Sequence, residues 1–204
     1  MKNRFYETEE RAAAEKKQNE KQSADRTKRL LSEAVKQAME QIPLDFITVK
    51  DIVKHCGMTR QNFYRHFRSK YDLVYWQYQE NIQKAWEKMD GLLTWEEALR
   101  MQFRLMYNER CFYAAAFASK ASRELLCCEY ECLLYFFRKF MHYGNPRMLR
   151  DEELREMEDY ILRSATLTMQ WARDGMLISA EQMAQVIAGA LPRNIQNRML
   201  PGEA

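Results

Sequence analysis

The sequence predicts an all-α fold, with a three-helix helix-turn-helix domain at the N-terminus and a larger helical bundle after it. Helix-breaking residues are scarce, with only 6 Gly and 4 Pro among 204 residues. Apolar residues recur at spacings of three and four, which is the period of a helix with one buried face. No run alternates β-branched and polar residues, so a sheet is not expected.

We expect three segments: a charged, mobile arm over residues 1–22, the helix-turn-helix domain over 23–70, and the bundle over 71–204. The arm is polar and has no sustained apolar face. The first helix of the domain should run from about Ala24 to Gln41 and end before Pro43, whose ring cannot continue it. Its predicted buried stripe is Leu30, Leu31, Ala34, Val35, Ala38 and Ile42.

The next 25 residues read as two short helices joined by a tight turn. Thr48 is a candidate N-cap for a helix over Val49–His55. Gly57 can adopt the left-handed backbone that such a turn requires. Thr59 is a candidate N-cap for a second helix, Arg60–His66. This order is that of a helix-turn-helix whose second helix reads DNA.

The second helix carries the side-chain types that recognise bases. Arg60, Gln61 and Asn62 stand at its N-terminal end, and Arg65 follows one turn later. Arginine pairs with guanine through two hydrogen bonds, and glutamine or asparagine pairs with adenine in the same way. The sequence therefore predicts Arg60, Gln61 and Asn62 as the base-reading residues of a double-stranded DNA operator site.

Charge supports a polyanion partner for the N-terminal third. Residues 1–70 hold 16 Lys and Arg against 10 Asp and Glu, whereas residues 71–204 hold 16 against 19. No secretory signal and no stretch of 18 apolar residues is evident, so we expect a cytoplasmic protein with no membrane contact. The five cysteines fit no zinc-finger spacing and are expected to be reduced.

The segment ITVKDIVKHCGMTRQNFYRHFRSKYDLV resembles the tetracycline-repressor (TetR) family, and the resemblance runs from about Thr27 to Leu73. It implies phosphate contacts from Thr48, Lys50, Thr59, Tyr64 and Lys70. His66 either touches the DNA backbone or packs inside the domain. Beyond Leu73 the likeness is architectural and is reminiscent of the subgroup of dihydroxyacetone kinase regulators.

The long arm departs from the family pattern. The basic residues of the arm and of the start of the first helix have two possible roles. They contact DNA, in the adjacent minor groove or at phosphates, or they belong to a solvated tail. These residues are Lys16, Lys17, Lys21, Arg26 and Lys28.

The rest of the chain predicts a bundle of five to six helices for ligand binding and dimerisation. The expected helices are Lys70–Asp90, a helix capped by Thr94 that ends near Glu109, Cys111–Ser119, Ser122–His142, Asp151–Asp174, and a helix capped by Ser179 that fades at Pro192.

Large apolar side chains in the bundle predict a pocket for a small, largely apolar effector, as the family usually has one. The alternative is that they fill the core completely. The candidate lining residues are Trp86, Phe103, Tyr107, Tyr113, Phe117, Tyr130, Phe137 and Trp171.

Apolar stripes with small residues on the last two long helices predict a homodimer that buries them in a four-helix bundle. The candidate interface residues are Ile161, Ala165, Thr168, Met183, Ala184, Ile187, Ala188 and Leu191.

No other chemistry is predicted. Cys127, Cys128 and Cys132, with Cys111, could sense redox state or bind a soft metal, but buried thiols explain them more simply. The sequence contains no motif of an enzyme, a cofactor site or a metal site. The sequence and the resemblance together predict a homodimeric repressor that a small effector releases from DNA. The alternative is an activating regulator whose C-terminal domain binds a partner protein.

Overall fold

The computed structural model describes residues 2–87, 94–144 and 150–199. These residues form helices and connecting turns, with no strand among them, which confirms the all-α prediction. The chain divides into two compact units, one made of Met1–Ile42 and Phe46–Val74 and the other of Pro43–Asp45 and Tyr75–Ala204. The division falls inside a helix, a few residues after the predicted boundary at residue 70.

The first unit consists of three helices and the start of a fourth. Helix α1 packs on α2, and α2 packs on α3. A single turn of 3-10 helix, Leu44–Phe46, precedes α2. The four helices are α1 (Lys2–Met39), α2 (Val49–His55), α3 (Arg60–Tyr64) and α4 (Lys70–Glu87).

Helix α1 is longer than the sequence pattern indicated, because it begins at Lys2 instead of near Ala24. Residues 2–22 contain neither Gly nor Pro and are rich in Ala, Glu, Lys and Gln, which are strong helix formers. Residues 16–23 are all exposed, so this part of the helix buries no apolar face.

The buried face of α1 differs from the predicted stripe at both ends. Leu30 and Ile42 are each 45% exposed, whereas the residues between them that were predicted to be buried are buried. Ile42 lies beyond the last helical residue, Met39, so the helical period no longer places it on the core side. Met39 completes the stripe instead.

The second unit begins within α4, and its described residues form six further helices. These are α5 (Trp95–Asn108), α6 (Arg110–Phe117), α7 (Ser122–Gly144), α8 (Asp151–Arg173), α9 (Ala180–Gly189) and α10 (Arg193–Met199). Predicted caps are present at Thr94 and Ser179, each in a reciprocal capping box. Helix α10 was not predicted, because Pro192 was taken as a stop. The carbonyl of Pro192 instead accepts the first hydrogen bonds of α10.

Packing in the second unit pairs α5 with α9, and α8 with both α6 and α7. A chain of hydrogen bonds fixes three of these helices. The Trp95 indole donates to the hydroxyl of Tyr160 at 2.9 Å, and that hydroxyl donates to the carbonyl of Ile187 at 2.9 Å. None of the helices within the described ranges is both long and apolar enough to cross a membrane.

Candidate nucleic-acid interface

The start of α2 is fixed by a reciprocal capping box between Thr48 and Asp51. The Asp51 amide donates to Thr48 Oγ1 at 3.2 Å, and the Thr48 amide donates to Asp51 Oδ2 at 2.9 Å. The Thr48 hydroxyl also donates to Asp51 Oδ2, at 2.6 Å. These bonds hold the pKa of Asp51 below its usual range, the hydroxyl of Thr48 contributing most and its amide next. The predicted N-cap is therefore confirmed.

The turn between α2 and α3 has the geometry that its sequence predicts. Gly57 has φ 64°, in the left-handed region, and nothing crowds the place where a Cβ would stand. Backbone conformation, not space, therefore favours glycine there. After the turn, Thr59 Oγ1 accepts the amide of Asn62 at 3.1 Å and caps α3.

Helix α3 is shorter than predicted, since it ends at Tyr64 and not at His66. Two aromatic side chains anchor it: Phe63 is fully buried and Phe67 is nearly so, with their ring centroids 5.8 Å apart. The opposite side faces solvent. Arg60 and Gln61 are exposed there, and Asn62 is half-buried.

The candidate phosphate contacts lie around the same surface. Thr48, Lys50, Thr59 and Tyr64 are all exposed. The two threonines differ in what they can still donate. The hydroxyl hydrogen of Thr48 is already directed at Asp51. The hydroxyl of Thr59 accepts an amide, and its own hydrogen remains able to reach a phosphate oxygen.

Lys70, another candidate phosphate contact, is tied to the domain. Its Nζ donates to the backbone carbonyl of Ile47 at 2.7 Å and lies 5.1 Å from the centre of the Tyr71 ring. An ammonium group has three donors, and the Ile47 carbonyl takes one of them. Lys70 thereby links the first turn of α4 to the residue directly before Thr48.

His66 is half-buried among positive charges. Burial lowers its pKa, and the neighbouring Lys28 and Arg65 lower it further. The imidazole is therefore neutral at pH 7, which favours packing over a charged contact with phosphate.

Comparison with known proteins agrees with this geometry. Residues 30–75 match the family model described as bacterial regulatory proteins, tetR family. The N-terminal domain belongs to the tetR family. The match covers the last part of α1, all of α2 and α3, and the first turns of α4. Residues 30–75 thus have both the sequence pattern and the helix-turn-helix geometry of this family's N-terminal domain.

Two relatives extend the likeness beyond the TetR-family domain. The chain is 23% identical over 91 residues to the HTH-type dhaKLM operon transcriptional activator DhaS of Lactococcus lactis subsp. lactis (strain IL1403), a match that covers 45% of this chain. It spans 49% of that relative, about half its length. A solved structure, the dihydroxyacetone kinase operon activator DhaS, superposes with a TM-score of 0.66 at 18% identity, over 84% of this chain and 97% of that one. The superposition shows a shared fold.

The candidate effector-pocket residues are mostly packed against one another or against other rings. Phe103, Tyr113, Phe117 and Phe137 are fully buried, and Trp171 is nearly so. The ring centres of Phe103 and Trp171 lie 5.5 Å apart, edge to face. These contacts favour the alternative in which the aromatic side chains fill the core.

Three of the residues predicted to line the effector pocket are not part of this buried aromatic packing or cannot be assigned to it. Tyr107 was wrongly placed in the lining, because it is 40% exposed and lies beside the Arg110 guanidinium on the surface. Tyr130 is half-buried. Trp86 falls outside the residues whose side chains the structure describes.

Most of the residues predicted for the dimer interface lie instead in the core of a single chain. Ala188 alone is half-buried. The helical period was right, but it marked the inner face of α8 and α9 and not the outer one. The residues buried within the chain are Ile161, Ala165, Thr168, Met183, Ala184, Ile187 and Leu191.

Exposed apolar side chains remain on each of the same two helices. Leu162 on α8 and Val186 on α9 are each half exposed, and Leu167 on α8 is also exposed. Gly189 stands exposed at the end of α9, so another backbone can approach closely there. These residues, unlike most of the predicted stripe, lie on the surface of the single chain.

The sequence reasoning missed a buried polar group in the bundle. Glu129 is fully buried, and its carboxylate accepts hydrogen bonds from Tyr78 and Gln102. Its neighbour Cys128 is buried, and Cys132, one turn on, is half-buried. All five cysteines are free thiols, and the described residues contain no group of three side chains suited to a metal ion. Glu129 was overlooked because periodicity alone cannot tell a buried acid from one that merely borders the core.

Proposed function

We propose that this chain is a sequence-specific regulator of transcription that binds a two-fold symmetric DNA operator as a homodimer. One observation supports this most: a capped recognition helix, α3, presents exposed Arg60 and Gln61 while Phe63 anchors its other side. An arginine and a glutamine at the start of such a helix can each read one base edge in the major groove.

A division of labour among the exposed residues follows from their chemistry. Arg60, Gln61 and half-buried Asn62 would read bases, whereas Lys50, Thr59 and Tyr64 would contact phosphates and set the register. We now assign the hydroxyl of Thr48 to capping α2, since its hydrogen is bonded to Asp51. Thr48 itself remains exposed, next in sequence but one to the proposed phosphate contact Lys50.

Dimerisation would use exposed residues of α8 and α9, among them Leu162, Val186 and Gly189. A second copy related by a two-fold axis would remove the exposed apolar side chains of both helices from water. Two copies would present two copies of α3 to successive turns of the major groove.

The direction of regulation is better supported as activation than as the repression expected from the sequence. Both relatives named DhaS are described as operon activators. The packed aromatic core also weakens the support for a purely apolar effector and strengthens the alternative of a partner protein. A reporter gene under the selected operator decides the sign: expression that falls when the regulator gene is deleted supports activation, and expression that rises supports repression.

Selection of bound duplexes from a random pool tests DNA recognition itself. The expected product is an inverted repeat whose half-sites lie about one helical turn, or a multiple of it, apart. The variant Gln61→Ala should lose preference at one position in each half-site, whereas Tyr64→Phe should keep every preference and bind more weakly.

A further inference from the structure

The second unit holds a buried carboxylate for which the described residues provide no cationic hydrogen-bond partner. Glu129 on α7 is fully buried. The Tyr78 hydroxyl, from α4, donates to its Oε2, and Gln102 Nε2, from α5, donates to its Oε1 at 2.9 Å. Both groups that bond the carboxylate are uncharged. Three helices therefore meet at one acid.

Tyr78 cannot leave this contact by a simple rotation. It is fully buried, and its ring lies edge-on to Tyr113 and to Phe117, with 5.7 Å between ring centres in both cases. The hydroxyl can therefore part from Glu129 only if α4 shifts, or if Glu129 and α7 move away from it.

The same face of α4 carries further hydrogen bonds one turn away. Asn81 Nδ2 donates to Glu109 at 2.9 Å and to the Tyr113 hydroxyl at 3.1 Å, while Gln77 donates to Asn81 at 2.6 Å. Helix α4 is thus held by polar, directional bonds as well as by apolar packing.

Helix α4 also contributes residues to both units. It is continuous from Lys70 to Glu87, with residues to Val74 in the first unit and those from Tyr75 in the second. At its first turn, Lys70 bonds the carbonyl that precedes Thr48. Tyr78 stands eight residues on, about 12 Å along the same helix.

A proton can change the state of this acid near neutral pH. Burial raises the pKa of Glu129 to about 7, although the hydrogen bonds from Tyr78 and Gln102 favour the ionised form. The titratable groups that face it are Tyr78 on α4, Tyr113 on α6, and Cys128 and Cys132 on α7 itself. None of these is a cation, so none compensates the ionised carboxylate.

We propose that Glu129 is a proton-controlled latch on α4, and that its state sets the DNA affinity of the first unit. When Glu129 is neutral, α4 stays in the arrangement seen here. When its proton leaves to solvent, the carboxylate favours an arrangement that admits water, and α4 shifts with it. The link to DNA rests on the proposed function, whereas the latch itself does not.

Hydrogen exchange of the full chain tests the latch without DNA. Protection of amides 75–84, corrected for the intrinsic exchange rate, should fall about tenfold between pH 6 and pH 8 in the wild type, because a closed-state pKa near 7 lies well above the ordinary value. The variant Glu129→Gln should show little change. Glu131→Gln, an exposed position on the same helix, serves as the matched control and should behave like the wild type.

Two results would overturn the latch: constant protection of these amides in the wild type, or the same fall in Glu129→Gln. If Glu129→Gln does not fold, Tyr78→Phe keeps the ring and removes the donor that favours ionisation. The midpoint of the exchange change should then move to higher pH, and an unmoved midpoint would contradict the proposal.

DNA binding tests the second half of the proposal. With the selected duplex at fixed salt, the change in wild-type affinity between pH 6 and pH 8 should shrink in Glu129→Gln and persist in Glu131→Gln. An unaltered pH profile in Glu129→Gln would overturn the coupling of the latch to DNA. If no duplex binds at all, the proposed function fails, and the exchange experiment still decides the latch.

Discussion

Lys70 Nζ donates a 2.7 Å hydrogen bond to the backbone carbonyl of Ile47, 23 residues earlier in the chain. The bond joins the first turn of α4 to the segment that presents Thr48 and Lys50. A residue that resembles a simple phosphate contact in sequence therefore also positions its neighbours. Its removal should act in two ways at once.

The variant Lys70→Met should weaken binding of the selected duplex and of an unrelated duplex alike. It removes a charge near phosphate, so the slope of log affinity against log salt should fall by about one. It should also lower the midpoint of thermal unfolding, because the Ile47 carbonyl loses its partner. Lys70→Arg keeps the charge and serves as control, and a loss confined to one duplex would contradict this assignment.

The base-reading residues should behave differently. Replacing Arg60 or Gln61 by Ala should weaken specific binding by about 1–3 kcal/mol and relax one base position, with little change on unrelated DNA. Competition binding against single-base variants of the operator measures this. Equal losses on all the sequences would show that α3 does not read bases through these side chains.

The threonine caps give a matched pair. Thr48→Ala removes the capping box of α2 and should lower stability by about 1 kcal/mol, whereas Thr48→Ser should restore most of it. At Thr59 the Ala substitution should lower DNA affinity as well, because it removes a hydroxyl that can donate to phosphate, whereas Thr59→Ser keeps that hydroxyl and should preserve the affinity. Chemical denaturation and binding assays on the four variants separate the two roles. If both Ala variants change DNA affinity by the same factor, the distinction fails.

The predictions from sequence held where local chemistry decides the structure. A helix cap or a tight turn depends mainly on the residue at that position and on its immediate neighbours. The caps at Thr48, Thr59 and Thr94 and the turn at Gly57 are of this kind. The start of α1 was predicted too late, near Ala24, because the prediction relied on a buried apolar face. Residues before Ala24 form a helix through their helix propensity, and those from 16 to 23 bury no such face.

The predictions failed where the sequence could not tell which face of a helix is covered by its own chain. Ile161 and Met183 have the spacing of an interface, but the same spacing describes an inner face, and only packing shows which neighbour covers it. The buried position of Glu129 could not be predicted either, because its partners Tyr78 and Gln102 lie 51 and 27 residues away in sequence and only the fold brings them together.

Glu129 should also leave a signature in stability. Its pKa of about 7 in the folded chain lies above the ordinary 4.5, so its contribution is fully present below pH 4.5 and is lost as the pH rises through 7. Relative to the wild type, Glu129→Gln should therefore gain stability between pH 5 and pH 8, by on the order of 3 kcal/mol at most. Denaturant titrations at both pH values measure the gain, with Glu131→Gln as the control that should show none.

The proposed homodimer is tested by substitution of an exposed residue on α9. Val186→Glu should place a charge in the proposed dimer contact and yield a monomer that remains folded, because Val186 is half exposed in the single chain. Tyr135→Glu, at an exposed position on α7, is the control and should leave the dimer intact. Sedimentation velocity with circular dichroism distinguishes dissociation from unfolding. A wild-type monomer at micromolar concentration would contradict the dimer.

Selection from a random duplex pool, repeated with the wild type and Gln61→Ala side by side, tests the central claim most directly. Sequence-specific recognition by α3 predicts that the wild type enriches an inverted repeat and that the variant loses preference at one base in each half-site. Enrichment of no sequence by the wild type, or an identical repeat with identical preferences from the variant, would contradict it.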